Sequence, residues 1–188
     1  LVAWSFRYPG LSPLPHHLIR YLHVRFDRNV IQVMPECAIY DEQLTYTLKP
    51  GRCVFTSREF GNEYSINSLG VRDDEASLRQ PNTVILGDSL SMGWGVNQEE
   101  SFPAVFERVS GLSTLNAGVS SYGTVRELRM LERVDRSALR NVVIQYNEND
   151  TLENQHLIER PPFRTLSREQ YDRTVEQQAR LLQYFPGK

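Results

Sequence analysis

The feature that most constrains the fold of this chain is the alternation of short apolar segments with amphipathic segments over residues 76–188. Three segments have the length and residue types of short strands, namely residues 83–86, 113–116 and 141–146, and the first of them is expected to be buried. A segment with helical periodicity follows each of them. This order predicts right-handed βαβ crossovers and a parallel sheet that is covered on both faces. We therefore expect an α/β domain over residues 76–188.

The predicted helices have recognisable boundaries. Residues 99–110 place apolar side chains at helical spacing, and Gly111 is suited to end that helix. The segments 124–127 and 167–170 both match a capping box, which predicts that a helix begins at each. The first of these two helices is expected to bury Leu128, Leu131 and Val134.

Residues 1–75 show little regular pattern and are interpreted as an N-terminal extension. The segment "YPGLSPLP" indicates a loop or an extended stretch, because it holds three prolines in eight residues. The segment "AIYDEQLTYTLKPG" alternates enough to predict a hairpin that ends at Pro50. The charged run 72–75 indicates a solvated linker and not a metal site.

Composition excludes several classes of function. The chain has 188 residues, of which 40% are hydrophobic and 23% are charged, as in an ordinary globular protein. A formal net charge of −2 supplies no basic field, so nucleic acid is not expected as a partner. No apolar run approaches the ~20 residues of a transmembrane helix, so no membrane span is expected within the chain. The N-terminal "LVAWSF" is too short for a signal peptide.

Cys37 and Cys53 are the two cysteines of the chain. They can form one disulfide, which would imply an oxidising compartment, or remain as two free thiols, and the sequence leaves both alternatives open. Together with four histidines at irregular spacing they do not resemble a zinc site. The chain also lacks a phosphate-binding loop, which argues against a nucleotide-binding domain.

Small and polar residues follow all three predicted strands, at positions 87–89, 116–118 and 147–150. The carboxyl ends of parallel strands meet at the edge of the sheet where ligands bind. There Ser89 can expose a nucleophilic hydroxyl, while Gly118 lets a substrate approach its N–H and the Asn149 amide can supply a further donor. Each signal alone is more typical of a turn. An acyl-transfer site built from these residues would also need a base beside the serine.

Three segments in this order resemble the first three sequence blocks of the SGNH (GDSL-type) hydrolases. They are "LGDSLSMGWGV", "LNAGVSSYGTVREL" and "VVIQYNEND". The upstream "YSINSLGVRDDE" often precedes the first block in that family, so the resemblance covers residues 64–154. It implies a three-layer, flavodoxin-like parallel sheet and serine ester chemistry that uses no cofactor and no metal.

The resemblance also implies a role for each matching residue. Ser89 would be the nucleophile, and its own N–H would be the first oxyanion donor. Gly118 would supply the second donor and Asn149 the third. Two positions depart from the family pattern, because Asn147 and Ser121 stand where glycine is common.

The family's fourth block, Asp-x-x-His, does not occur in this sequence. The four histidines of the chain are His16, His17, His23 and His156. His156 follows the third block and is a candidate base, although a solvent-facing histidine is the preferred interpretation. The economical inference is that the remaining strands and the catalytic histidine lie beyond Lys188, so that the sheet is incomplete here.

The function expected from this resemblance is that of a serine ester hydrolase or acyl (acetyl) transferase working through an acyl-enzyme. Its substrate would be a small-molecule or carbohydrate ester, with acylated carbohydrate as the first choice. The alternative is a non-catalytic SGNH-like module in a cell-envelope or polysaccharide-modifying assembly. We expect an extracytoplasmic location, periplasmic or secreted, with an anchor upstream of Leu1 as an open alternative. The oligomeric state is left open.

Other residues near these blocks have structural interpretations. Trp94 and Tyr122 are expected to contribute packing. Asp88 and Asp150 are expected to hydrogen-bond the backbone of their own loops.

Overall fold

The computed structural model describes residues 30–57, 60–159 and 164–183, together with Leu18. Seven β-strands lie in this part of the chain: β1 (Ala38–Asp41), β2 (Thr45–Leu48), β3 (Gly51–Thr56), β4 (Gly61–Ile66), β5 (Thr83–Leu86), β6 (Thr114–Asn116) and β7 (Asn141–Ile144). Five α-helices also lie there: α1 (Ser89–Met92), α2 (Phe102–Ser110), α3 (Thr124–Glu132), α4 (Glu148–Glu159) and α5 (Arg168–Gln183). The prediction for the proline-rich segment 8–15 falls outside the described residues.

Strands β5, β6 and β7 form one parallel sheet in the order β6-β5-β7. Thr83 pairs with Thr114 on one side and with Asn141 on the other, so the three strands begin at the same level. The chain therefore has a mixed α/β fold with a three-stranded parallel sheet, as predicted. Because β5 comes first in the chain and lies in the middle, the loop after it opens between the ends of the other two strands. In open α/β sheets, ligands bind at this reversal of strand order.

Two antiparallel hairpins precede the sheet. The pairing of β1 with β2 confirms the hairpin predicted before Pro50. The pairing of β3 with β4 was not predicted, so the expectation of little regular pattern is wrong for this stretch. The physical reason lies in β3, where the apolar Val54 is 61% exposed between the buried Cys53 and Phe55. Three consecutive apolar residues hide the alternation of a strand.

A disulfide joins Cys37 to Cys53, with 5.2 Å between their Cα atoms. The structure thus decides between the two alternatives that the sequence leaves open. Cys37 lies just before β1 and Cys53 lies within β3, so the bond connects the two hairpins covalently. Both sulfurs belong to buried residues of the core.

Two tyrosines connect the first hairpin to the loop after β6. The Tyr122 hydroxyl donates a hydrogen bond to the backbone carbonyl of Tyr46, and the Tyr46 hydroxyl donates to the carbonyl of Ser120. Their rings pack edge to face with centroids 5.5 Å apart. Tyr122 therefore contributes packing, as predicted, and burial raises the pKa of its phenol well above the usual value.

The structure confirms two of the predicted features of the helix ends and contradicts one. The Ser167 N–H donates to Gln170 Oε1 at 2.9 Å, and the Gln170 N–H donates to Ser167 Oγ at 3.3 Å, which confirms the capping box before α5. Gly111 ends α2 with a φ of 70°, also as predicted. The capping box assigned to residues 124–127 is wrong, because Thr124 is itself the first helical residue and Gly123 holds the cap position.

Two predicted apolar faces are more exposed than expected. Helix α3 buries Glu127 and Met130, and Val134 is buried just after the helix ends, whereas Leu128 is 47% exposed. Strand β7 is an outer strand of the sheet. Its β-branched residues correctly predict a strand, but they do not predict whether that strand is buried. Each of its residues is exposed or half-buried in the described part of the chain.

Candidate active site

Ser89 lies just beyond the end of β5, as the first residue of α1. Asp88 precedes it as the N-cap residue, and Asp88 Oδ1 accepts the backbone N–H of Leu90 at 2.9 Å. The Ser89 side chain is partly exposed, and its hydroxyl makes no hydrogen bond with any residue that the structure describes. This hydroxyl can therefore be reached from solvent.

Gly87 makes the turn between β5 and Ser89 possible. Its φ is +153°, a conformation that residues with a side chain rarely adopt. A Cβ on Gly87 would also lie 2.5 Å from Ser91 Oγ. A side chain at this position would therefore clash with Ser91 in α1.

One buried carboxylate ties the ends of β5 and β7 together. Asp88 is 3% exposed, and its Oδ2 accepts a hydrogen bond from Asn147 Nδ2 at 3.1 Å. The same carboxylate holds the Leu90 N–H, so the prediction that Asp88 bonds nearby backbone is confirmed. Asp150 Oδ2 accepts the Asn147 N–H at 2.7 Å, which confirms the corresponding prediction for Asp150. Asn147 thus has a structural role in this chain.

Gly118 lies against α1 on the other side of β5. A Cβ on Gly118 would lie 2.7 Å from the Met92 nitrogen and 2.7 Å from Ser91 Cβ, so only glycine fits this contact. Its N–H donates to Asn116 Oδ1 at 3.1 Å. Because this donor is already engaged, the oxyanion role of Gly118 requires the Asn116 side chain to release it. That role stays a prediction.

Ser121 takes the second position where the family commonly has glycine. Its φ is +61°, in the left-handed region that favours glycine. Gln32 Nε2 donates to the Ser121 hydroxyl at 3.3 Å. The serine therefore adopts the backbone conformation for which a glycine is usually required.

The side chains of Asn149 and His156 lie outside the described residues. The backbone of both belongs to α4, which begins at Glu148 shortly after β7 ends. Their predicted roles as oxyanion donor and base therefore stay predictions. The remaining histidines, His16, His17 and His23, also lie outside the described residues.

Arg72 is the residue near Ser89 that sequence reasoning missed. The prediction of a solvated linker is wrong at this position, because Arg72 is 1% exposed. Its guanidinium lies 3.7 Å from the centroid of the Tyr64 ring and donates to the backbone carbonyls of Met92, Gly93 and Val96. The charged residues that follow it in sequence conceal this burial, and no local pattern in the sequence indicates it.

The glycines after Ser89 make room for these contacts. Gly93 has a φ of +87°, and a Cβ there would lie 2.8 Å from Arg72 Nη1. Gly95 has a φ of +77°, and a Cβ there would lie 3.2 Å from Phe60 Cδ1. Between them Trp94 packs edge to face against Phe55 with centroids 4.7 Å apart, which confirms its predicted role in packing. The glycine-rich loop is therefore shaped by what it packs against.

Asp73 connects the segment before the sheet to the end of β6. Its Oδ2 accepts the backbone N–H of Asn116 at 2.8 Å. Burial raises the pKa of the Asp73 carboxyl to about 6, although the hydrogen bonds from Asn116 and Asp74 act in the opposite direction. Asp73 thus holds Asn116, whose side chain in turn holds Gly118.

No protein-family model matches this sequence, and no curated protein matches it either. Within the described ranges, no helix combines the length and the apolar character that crossing a membrane requires. The same part of the chain contains no group of three or more His, Cys, Asp or Glu side chains that could hold a metal ion.

Proposed function

We propose that this chain carries the nucleophile of an SGNH-type serine ester hydrolase or acyltransferase. The observation that carries the proposal is a solvent-reachable Ser89 hydroxyl at the end of the central strand, beside loops from both neighbouring strands. The Asp88–Asn147 hydrogen bond connects the loop after β7 to the loop after β5. Gly118 packs against α1, so the loop after β6 also lies beside the helix that begins with Ser89. Three sequence blocks in the family's order support the same assignment.

In this proposal Ser89 Oγ attacks the carbonyl carbon of an ester while a base takes its proton. The bond to the ester's alcohol then breaks, and the alcohol leaves with that proton as the acyl-enzyme forms. The resulting acyl-enzyme is then resolved by water, which gives hydrolysis, or by an acceptor hydroxyl, which gives acyl transfer. The Ser89 N–H, the Gly118 N–H and the Asn149 amide would stabilise the oxyanion, each by about 3–4 kcal/mol in the transition state. His156 stays a candidate base within this chain.

Acylated carbohydrate is the substrate class that we propose first, on family resemblance alone. An extracytoplasmic location is supported by the Cys37–Cys53 disulfide, since such bonds persist in oxidising compartments.

Active-site labelling with a fluorophosphonate, followed by peptide mass spectrometry, tests the proposal directly. We expect one adduct on Ser89 and none in Ser89→Ala. Ser91→Ala is the matched control, because it removes a buried hydroxyl two residues away. It should still be labelled. A folded wild-type protein without an adduct, or a Ser89→Ala variant that is labelled equally, would contradict the proposal.

A non-catalytic SGNH-like module is the second candidate, and one observation favours it. The Gly118 N–H is occupied by Asn116, as in a site that no longer needs this donor. Such a module would bind an acylated oligosaccharide in equilibrium dialysis, would leave its ester bonds intact, and would take up no fluorophosphonate.

A further inference from the structure

A buried cation lies at the end of α1 opposite to Ser89. Nη1 of Arg72 donates to the carbonyl of Met92 at 3.3 Å and to that of Gly93, while Nη2 donates to the carbonyl of Val96 at 2.8 Å. Met92 is the last residue of α1, and Ser89 is the first. Since α1 is a single helical turn, whatever holds Met92 and Gly93 also determines where Ser89 lies.

We infer that Arg72 is a positioning residue, which holds α1 and the loop after it so that the Ser89 hydroxyl keeps the geometry for attack. The inference rests on the function proposed above. Arg72 itself touches neither the Ser89 hydroxyl nor, in this interpretation, the substrate, and it acts through the backbone of residues 92–96.

The chemistry of the contacts explains why an arginine suits this position. A planar guanidinium offers several donors in a fixed arrangement, so one side chain can satisfy three carbonyls that face inward. A cation at the C-terminal end of a helix is also favourable. A lysine could reach the carbonyls as a point donor but could not hold them in the same fork.

Burying the Arg72 charge is energetically unfavourable, which indicates that Arg72 does more than fill space in the core. Among the described residues no carboxylate lies within ion-pair distance of it, and its Nε has no hydrogen-bond partner. Burial of an unpaired charge is unfavourable, and an apolar side chain of similar volume would avoid this cost. Here the backbone carbonyls and the Tyr64 ring compensate for part of this cost, and the Glu99 carboxylate adds a favourable charge interaction from beyond ion-pair distance.

Tyr64 shows where the rigidity of this contact comes from. It lies in β4, is fully buried, and pairs with Cys53 of β3. Cys53 is in turn bonded to Cys37, so the ring under Arg72 belongs to the disulfide-linked hairpins. The second hairpin is thus connected, through Tyr64 and Arg72, to the loop that follows the nucleophile.

The test uses the complete gene product and three variants: Arg72→Lys, Arg72→Met and Arg108→Met. Arg108 is the matched control, since it also donates to a backbone carbonyl, that of Glu99 at 3.0 Å, but is exposed. The first measurement is the rate constant for fluorophosphonate labelling of Ser89. We expect about a 100-fold loss in Arg72→Met, about a 10-fold loss in Arg72→Lys, and no change in Arg108→Met.

The second measurement is amide hydrogen exchange over residues 89–96, which needs no activity. Exchange should be faster in both Arg72 variants, and with an ester substrate kcat should fall while KM stays unchanged. Arg72→Lys with a near-native melting temperature is the deciding variant if Arg72→Met does not fold.

The outcomes separate the two claims. A wild-type protein that is not labelled overturns the proposed function, and with it the role of Arg72 in positioning a nucleophile. A wild-type protein that is labelled, together with Arg72 variants that react and exchange at the wild-type rate, overturns the inference about Arg72 alone.

Discussion

The two outer strands of the parallel sheet are built differently. Every residue of β6 is buried, and the loop after it is fixed by hydrogen bonds from Asn116 to Asp73, from Gly118 to Asn116, and from Val119 to the Gly87 carbonyl. In β7, by contrast, Val142 and Ile144 are 43% and 45% exposed. Residues of the candidate site follow both strands, but only β6 is itself buried.

This difference divides the candidate site into a rigid half and an open half. On the β6 side the contacts that surround Gly118 hold it in place before any ligand arrives. On the β7 side the side-chain connections to the segment after β5 are the bond from Asn147 to Asp88 and a long bond from the Ser91 hydroxyl to Gln145 Oε1 at 3.4 Å. An exposed apolar outer strand is a surface on which further chain can pair.

The largest expected effect compares truncations on the two strands. Leu115→Ala in β6 removes a fully buried side chain and should lower the free energy of unfolding by about 2–5 kcal/mol. Val142→Ala in β7 should cost less than about 1 kcal/mol, because much of that side chain already contacts water. Urea unfolding measures both. Equal costs would contradict the comparison, because they would show that Val142 is as well packed as Leu115.

Gly118→Ala tests the rigid half at the site itself. The added Cβ has no room beside Ser91 and Met92, so we expect a loss of about 1–3 kcal/mol in unfolding free energy and slower labelling of Ser89. Gly61→Ala is the control, since its Cβ would meet Thr56 at an ordinary 3.5 Å. An unchanged labelling rate in Gly118→Ala would show that α1 does not depend on this contact.

The pH dependence of stability should reveal Asp73. Its pKa of about 6 in the folded protein is above the usual value of 3.8, so the folded state binds more protons than the unfolded state between these values. The contribution of Asp73 to the free energy of unfolding should therefore be largest below about pH 4. It should fall by roughly 1–3 kcal/mol as the pH rises through 6.

Asp73→Asn should remove this dependence, because the amide cannot ionise but still offers an oxygen to the Asn116 N–H. Thermal unfolding at pH 4 and pH 7 measures it. A difference between variant and wild type that is the same at both pH values would rule out Asp73 as the source.

The smallest expected effect belongs to the open half. Asn147→Ala removes the bond to Asp88 Oδ2 and leaves a buried carboxylate oxygen short of a partner, at a cost of about 1 kcal/mol. Asn154→Ala removes a comparable amide that donates to Thr124 Oγ1 at 3.2 Å, and should cost less than about 0.5 kcal/mol. Chemical denaturation separates the two. A cost for Asn147→Ala above that of Gly118→Ala would reverse the assignment of rigid and open halves.

Several features could be predicted because they depend on neighbours in sequence. Strand β5, the first hairpin, the C-terminal glycine of α2 and the capping box before α5 all follow from patterns within a few residues. The second hairpin was missed because apolar residues face both sides of β3. The buried face of α3 was predicted only in part, because the choice between Leu128 and Met130 depends on what packs against the helix.

The candidate site divides in the same way. A serine after a buried strand, with small or polar residues after the two following strands, could be recognised from the sequence. The contacts that shape the site could not. Arg72 and Gly93 are 21 positions apart, Asp73 and Asn116 are 43 apart, and Asp88 and Asn147 are 59 apart.

By itself, the sequence determined that this chain forms parallel strands with a Gly-Asp-Ser turn after the first of them, because periodicity and turn preference are local properties. Only the tertiary structure decided that Arg72 is buried beside that turn, that Asn116 occupies the Gly118 N–H, and that β6 is covered while β7 is not. Burial and hydrogen-bond partners depend on which distant segments meet, and one residue type can be solvated or buried accordingly.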